Sequence, residues 1–501
     1  MNAIEMKSIT KRFGPLVAND HIDFDLQKGE IHALLGENGA GKTTLMRILY
    51  GLYHADSGQI LVDGSPVHIT SPKDAIGWGI GMVSQHFTLV SPLTVAENVV
   101  LGYNKGYIYR PQEVIQNVTK AANQFGIDVE PSAIIRHLSV GERQRVEILK
   151  ALYHNAKVLI MDEPTAVLVP QEVDILFQTL ERLRKDGLSV IFISHKLYEV
   201  MTICDRITVL RDGKKIGTVL KNDTSERELA RMMVGRETFG VYRQGEQKAG
   251  NPLLRIENIT AVDKKGLTAL KNVSLNVYEG EVLGIAGVSG NGQSELTQVL
   301  SGTLKPASGK IFIGDKEITN ASPSEITRAG VGRIPEDRHA GVVGELTVAE
   351  NLALESIEKF TRRSTLDKRL ILKNAEQLIS EYQIKARPTD PIRTLSGGNM
   401  QKVILARALS PEPRVVIASQ PTRGLDVGAT EYVRTKLLEQ RNRGAAVLLL
   451  SEDLEEVMSL SDRIAVIYEG QIVGIVPGTE ATEEQLGLMM TGARQEVKQH
   501  G

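Results

Sequence analysis

The sequence predicts an α/β fold laid down twice in tandem, each copy built on a mainly parallel sheet. Two observations carry that prediction. Short apolar runs alternate with stretches of helical periodicity, the mark of strands buried on both faces and joined by crossover helices. Short motifs also recur at fixed separation: Gly36 and Gly287, like Gln85 and Glu336, lie 251 residues apart, while Leu138 and Leu395, Asp162 and Ser419, and His195 and Glu452 lie 257 apart. The difference of 6 residues reads as one insertion between otherwise collinear copies. A chain of 501 residues leaves each copy long enough to bury its own core.

In the first copy Ile31 to Leu35 reads as a buried strand, and GENGAGKT, Gly36 to Thr43, follows it and opens a helix ending near Gly51. This is the G-x-x-x-x-G-K-[ST] phosphate loop in the strand, loop and helix setting that it requires. Residues from about Thr94 to His137 are more helical and read as an inserted subdomain. Lys157 to Met161, Leu188 to Ile193 and Arg206 to Leu210 read as buried strands, with a helix over Gln171 to Lys185. Asp212-Gly213 predicts a hairpin, repeated at Glu469-Gly470. A polar segment with Gly and Pro, Phe239 to Pro252, reads as the connector. The division is a first domain over residues 1–240, a linker over 241–252, a second domain over 253–495 and a tail over 496–501. In the second copy GVSGNGQS, Gly287 to Ser294, follows Val282 to Ala286, with glutamine in place of the lysine.

A net charge of −2, 24% charged residues and 4% aromatics lack the basic excess of a nucleic-acid binder. Cys204, the single cysteine, excludes an internal disulfide and reads as core packing. Met1 to Thr10 lacks the apolar segment of a signal peptide. No apolar run approaches the ~20 residues needed to span a bilayer, and the longest, such as Ala445 to Leu450, read as buried strands. Trp78, in the glycine-rich Ile76 to Gly79, reads as core, and Glu480 to Gly501 as a helix with a frayed tail.

The chemistry concentrates in the first copy. Backbone amides of a glycine loop bind phosphate without a side chain, Lys42 adds charge at the terminal phosphates and Thr43 offers a hydroxyl to magnesium. VLIMDE, Val158 to Glu163, is an apolar strand ending in two carboxylates: Asp162 to hold magnesium, Glu163 to orient or deprotonate the attacking water. Gln85 ends another strand, within reach of magnesium and that water. His195, ending FISH, Phe192 to His195, is placed to hydrogen-bond a γ-phosphate, and Phe13 in KRFG, Lys11 to Gly14, to stack on adenine. Taken singly, each of these three fits a structural role as well.

LSVGERQ, Leu138 to Gln144, and LSGGNMQ, Leu395 to Gln401, each precede a helical stretch. With the motifs above they resemble the signature of the ATP-binding cassette (ABC) ATPases, and the resemblance covers nearly the whole chain. It implies P-loop domains that add an antiparallel β subdomain and a helical subdomain to the core sheet. It also implies a site shared between the phosphate loop of one cassette and the signature of another. On that pattern the candidate ATP site comprises Phe13, Gly36, Asn38, Gly39, Gly41, Lys42, Thr43, Thr44, Ser396, Gly397, Gly398 and the D-loop Asp426. Glu163, His195, Gln85 and Lys42 are its catalytic groups, and Thr43, Gln85 and Asp162 hold Mg2+.

The other site lacks its chemistry. Gln293 replaces the lysine, Glu336 the loop glutamine, Ser419 and Gln420 the two acids, and Glu452 the histidine; it receives a signature with Val140 for glycine and a D-loop with Val169 for aspartate. Losing a cation and gaining an anion near a phosphate costs on the order of several kcal/mol at an effective dielectric near 20. The losses sort by shared site rather than by half, so one hydrolytic site per chain is expected.

The resemblance further implies an importer subunit on the cytoplasmic face of the membrane. Its sockets for membrane permeases lie around Gln85 to Asn98 and Glu336 to Asn351. HFTLVSPL and DRHAGVVGEL precede the shared TVAEN in the two sockets, which points to two non-identical permeases. QPTRGLD, Gln420 to Asp426, is similar to importers of simple sugars and nucleosides. VSQHFTLV, Val83 to Val90, and IPEDR, Ile334 to Arg338, are nearer the nucleoside branch, whose cargo arrives on a lipid-anchored binding protein. A sugar cargo is the first alternative. The second is the soluble translation-associated tandem branch, which keeps both sites intact and joins them by a long charged linker, unlike this chain.

Overall fold

The computed structural model describes residues 1–14, 16–84, 87–102, 110–165, 168, 170–235, 241, 243, 250–263, 266–288, 290–362 and 365–490. They form two compact units, Met1–Thr238 and Phe239–Gly501. In the first, a six-stranded sheet runs in the order Lys214–Leu220, Arg206–Arg211, Ile31–Leu35, Ser189–Ser194, Val158–Asp162, Ile80–Val83. All neighbours are parallel except the edge hairpin. The three central strands are buried at every position, which is why they read as continuous apolar runs rather than alternating ones. Asp212 and Gly213 turn the hairpin with φ of 49° and 75°, the double positive φ of a type I′ turn.

A four-stranded antiparallel sheet, in the order Leu16–Gln27, Asn2–Phe13, Ser57–Val62, Ser65–Val67, covers this core. Its strands alternate, so Ile4, Met6, Phe24 and Leu26 face inward and join Leu34, Ile160 and Ile191 around the helix Lys42–Leu49. That helix buries Leu45, Met46 and Leu49 fully, each worth about 1.5–3 kcal/mol. The phosphate loop is therefore anchored between two sheets. The helical subdomain holds Val95–Val100, Pro111–Phe125 and Val140–Tyr153.

The second unit repeats this plan. Its core order is Val331–Ile334, Val415–Ser419, Ala446–Ser451, Val282–Ala286, Arg463–Tyr468, Gln471–Pro477, and its antiparallel order Thr268–Tyr278, Pro252–Val262, Ser308–Ile313, Lys316–Glu317. The insertion between the copies is split rather than single. Thr94 and Thr347 cap equivalent helices with the same capping box and stand 253 residues apart, whereas their bridge partners Ile134 and Pro391 stand 257 apart. The loop before the cap has thus gained 2 residues and the helical subdomain 4.

Trp78 is not core. It is 47% exposed, because it follows a one-turn helix, Pro72–Gly77, that buries only Ala75. Cys204 is buried, in keeping with its reading as core packing. The described part of the connector docks on the second unit: Val241 packs against its core, the Arg243 amide donates to Ser459 O at 2.9 Å, and Pro252 already begins a strand. The C-terminal segment forms a helix over Glu483–Met490; its remainder lies outside the described residues. Among the described residues no helix is long and apolar enough to cross a membrane.

Candidate nucleotide site

The phosphate loop leaves the buried strand Ile31–Leu35 and enters its helix through Gly41, whose φ of 98° is left-handed and which offers no side-chain cap. No side chain caps the first helical turn, the arrangement that favours an anion there. A Cβ on Gly41 would collide with the Ala18 carbonyl and stand 2.6 Å from Asn19 Nδ2. Asn19, fully buried, donates that amide to Gly41 O at 3.1 Å. It is a loop-fixing residue whose place in an alternating strand gave no signal of its role. Asn38 and Gly39 stand exposed at the loop tip, and Thr44 is half-buried beyond it.

Lys42 is 6% exposed, and its ammonium donates to Gly36 O at 2.7 Å and Glu37 O at 3.0 Å. Its charge is held at the centre of the loop by carbonyls a phosphate can replace. Thr43 Oγ1 lies 3.5 Å from Asp162 Oδ1. Burial pushes the Asp162 carboxyl above its ordinary range, the adjacent Glu163 pushes the same way, and Lys42 and Thr43 oppose them. A buried carboxylate beside a hydroxyl is a donor set that fits a hard divalent cation. No three His, Cys, Asp or Glu side chains cluster among the described residues to cage a metal by themselves, so such an ion would take its other oxygens from phosphate and water.

Glu163 follows the strand in a left-handed conformation, φ 48°, fixed by its amide on Ile193 O at 2.9 Å. Its Oε1 lies 2.9 Å from His195 Nδ1, at the end of the neighbouring strand. The hydrogen bond from His195 holds the Glu163 carboxyl below its ordinary value against the opposing effect of burial. The structure thus brings Lys42, Thr43, Asp162, Glu163 and His195 to one end of the sheet. Gln85 lies outside the described residues. Phe13 ends its strand 42% exposed, edge-on to Tyr53 at 5.4 Å.

The second unit keeps the backbone and carries other side chains at these places. Gln293 Nε2 donates to Gly287 O at 3.4 Å, the counterpart of the lysine's Gly36 carbonyl, and to the strand carbonyl Ile285 O at 3.2 Å. Gln420 repeats the left-handed turn, φ 46°, and its Oε1 accepts from the Glu452 amide at 3.3 Å. Ser294 is bonded to Glu336 at 3.0 Å. The signature is well formed here: Ser396 caps the helix Gly397–Leu409 by accepting from the Asn399 amide. Ser396 is exposed, and Gly397 and Gly398 are half-exposed. Asp426 caps Val427–Asn442 through the Ala429 amide at 2.8 Å.

The ABC transporter family model matches residues 19–166 and again 270–423. The chain is 49% identical to the guanosine import ATP-binding protein NupO of Bacillus subtilis, over 98% of each chain. It is 46% identical to the nucleoside import ATP-binding protein NupA of Lactococcus lactis, again over 98% of each. It is also 46% identical to the glucose import ATP-binding protein TsgD13 of Haloferax volcanii, over 98% of this chain and 96% of that one. Two matched cassettes, with relatives similar over nearly their whole length, place this chain in the ABC transporter family as an ATP-binding ATPase.

Proposed function

We propose that the chain is the energy-coupling ATPase subunit of a membrane importer for nucleosides, hydrolysing ATP at one competent site per chain. The observation that carries the single site is the contrast between the two units: Lys42, Asp162, Glu163 and His195 converge in the first, and Gln293, Ser419, Gln420 and Glu452 stand in their places in the second. ATP phosphates replace the carbonyls on Lys42 and take the amides of Gly36, Gly39, Gly41, Thr43 and Thr44, with Asn38 beside them and Phe13 against adenine. Thr43, Asp162 and Gln85 would hold Mg2+, which would neutralise phosphate charge. Glu163, kept ionised by His195, orients the attacking water and accepts its proton. His195 and Gln85 also reach the γ-phosphate and the water. Ser396, Gly397, Gly398 and Asp426 serve ATP in the role that the family resemblance gives them.

Partners follow from the same resemblance: two permeases, unlike each other because HFTLVSPL and DRHAGVVGEL differ, and a substrate-binding lipoprotein. The subunit sits peripherally on the cytoplasmic face. Similarity to guanosine and nucleoside import proteins supports the cargo. A sugar is the second reading, supported by the equally similar glucose import protein. The test is uptake of labelled nucleosides and labelled ribose in cells lacking the chain, given back as wild type or Lys42→Ala. Nucleoside uptake restored by wild type alone supports the reading; loss of ribose uptake instead moves the cargo to sugars, and no change in either overturns both.

A further inference from the structure

A path of polar contacts crosses the second unit from its degenerate phosphate loop to Arg338, whose guanidinium packs against the signature. Ser294 donates its hydroxyl to Glu336 Oε2 at 3.0 Å, and Glu336 Oε1 faces Arg423 Nη1 at 3.3 Å. The Arg423 carbonyl accepts from Arg338 Nη2. Arg338 Nη1 lies against Gly397, so closely that a Cβ there would stand 2.7 Å from it; a Cβ on Gly424 would stand 3.1 Å from Nη2. At the far end of the signature helix, Arg407 is 7% exposed and donates to Gly341 O at 2.6 Å. The Glu336–Gly341 loop is therefore pinned at both ends of the helix that presents Ser396, Gly397 and Gly398.

The first unit has no such set. Its sequence carries Gln85, Phe87 and Ala166 at the places of Glu336, Arg338 and Arg423, at offsets of 251, 251 and 257. Its loop reaches the signature helix instead through Thr88, whose amide and hydroxyl donate to Glu147 Oε1 at 2.5 and 3.0 Å. The charged path occurs in the unit that lacks the phosphate-loop lysine and keeps the intact signature. Glu336 already accepts the hydroxyl of Ser294 and would repel a phosphate beside it.

We propose that Glu336, Arg338 and Arg423 form a nucleotide-independent strut that holds the second unit's signature loop in place for the competent site. They are positioning residues, and the proposal rests on the reading that this signature serves ATP hydrolysis. Solvent-exposed pairs such as Arg423–Glu336 contribute only about 0–1 kcal/mol to stability, so the strut sets geometry rather than melting temperature. Arg338 serves because its planar fork meets two segments at once, which a single ammonium cannot do.

The test compares wild type, Arg338→Ala, Arg338→Lys and Glu163→Gln in the purified full chain. It measures steady-state ATP hydrolysis and nucleotide-free amide hydrogen exchange over Leu395 to Met400. Both Arg338 variants are expected to lower kcat by at least about fivefold and to speed that exchange at least about tenfold. KM for ATP should stay within about twofold, because the first unit's own loop makes the ground-state contacts. Wild-type exchange in Arg338→Ala, wild-type kcat in that variant, or full rescue of both by lysine overturns the strut. Full activity in Glu163→Gln overturns the reading of the competent site instead, and the exchange result separates the two failures.

Discussion

His195 Nδ1 sits 2.9 Å from Glu163 Oε1, across the ends of two neighbouring parallel strands. The contact joins the two residues proposed to act on the attacking water, and it draws the Glu163 carboxyl below its ordinary value. With the hydrogen bond from His195 in place the carboxyl titrates below its ordinary value; without it, burial is the leading influence and pushes the other way.

His195→Ala should therefore raise the Glu163 pKa and carry the acid limb of the kcat profile to higher pH. The sign follows from linkage: a carboxyl depressed in the fold stays ionised above its unfolded pKa and loses its contribution as pH falls through the depressed value. A pH profile of ATP hydrolysis from pH 4 to 8, roughly the span of carboxylate and imidazole titration, checks it. An acid limb that stays in place would show that His195 does not control Glu163.

Lys42→Ala should weaken ATP binding at least about tenfold, while costing about 1 kcal/mol of fold stability from the lost bond to Gly36 O; Glu37 O keeps the Ala40 amide at 3.1 Å. Equilibrium binding of a fluorescent ATP analogue and a urea melt separate the two effects. The reciprocal change, Gln293→Lys, should give no second hydrolytic site, because Ser419 and Gln420 still supply no carboxylate. Turnover per chain, measured in Glu163→Gln with and without Gln293→Lys, should stay near zero in both.

Gly41→Ala and Gly39→Ala should differ sharply. Both positions have positive φ, 98° and 85°, but a Cβ at Gly39 meets open space while one at Gly41 strikes the Ala18 carbonyl and Asn19. Gly39→Ala should cost only the ~1–2 kcal/mol of a left-handed residue. Gly41→Ala adds backbone displacement, and should abolish ATP binding as well as lower the unfolding midpoint.

Asp462→Ala should destabilise the second unit by about 1–3 kcal/mol, the cost of removing two charge-assisted bonds from a buried guanidinium that keeps Asn442 Oδ1 at 3.3 Å. Arg441 is 1% exposed and is gripped by Asp462 through two bonds, at 2.9 and 2.6 Å, while Asp462 also accepts the Val282 amide at 2.9 Å. The equivalent pair in the first unit, Arg184–Asp205, is looser at 3.9 Å. Asp205→Ala should accordingly cost less, as paired urea melts would show.

The strands and turns were legible because burial on both faces writes an uninterrupted apolar run, as in Ser189–Ser194, and because an Asp-Gly pair specifies its turn. The phosphate loop and the two strand-end acids were legible because their chemistry tolerates few residue types. Contacts made through three dimensions left no such trace. The pairing of His195 with Glu163 depends on strand adjacency, Asn19 acts through the backbone of a loop over twenty positions away, and Arg338 reads as one basic residue among many. Trp78 misled because glycine neighbours and an aromatic suggest packing, whereas the short helix before it has little face to bury.

The left-handed residue closing the Walker-type strand appears in both units, at Glu163 with φ 48° and at Gln420 with φ 46°. Only the first carries a carboxylate there. In each case the amide of that residue is spent on the next strand, Ile193 O at 2.9 Å and Leu450 O at 2.8 Å. The unusual backbone is thus a seam of the sheet, present whether or not a reaction follows. The bend at Glu163 belongs to the architecture, since the unit without a carboxylate there holds the same one.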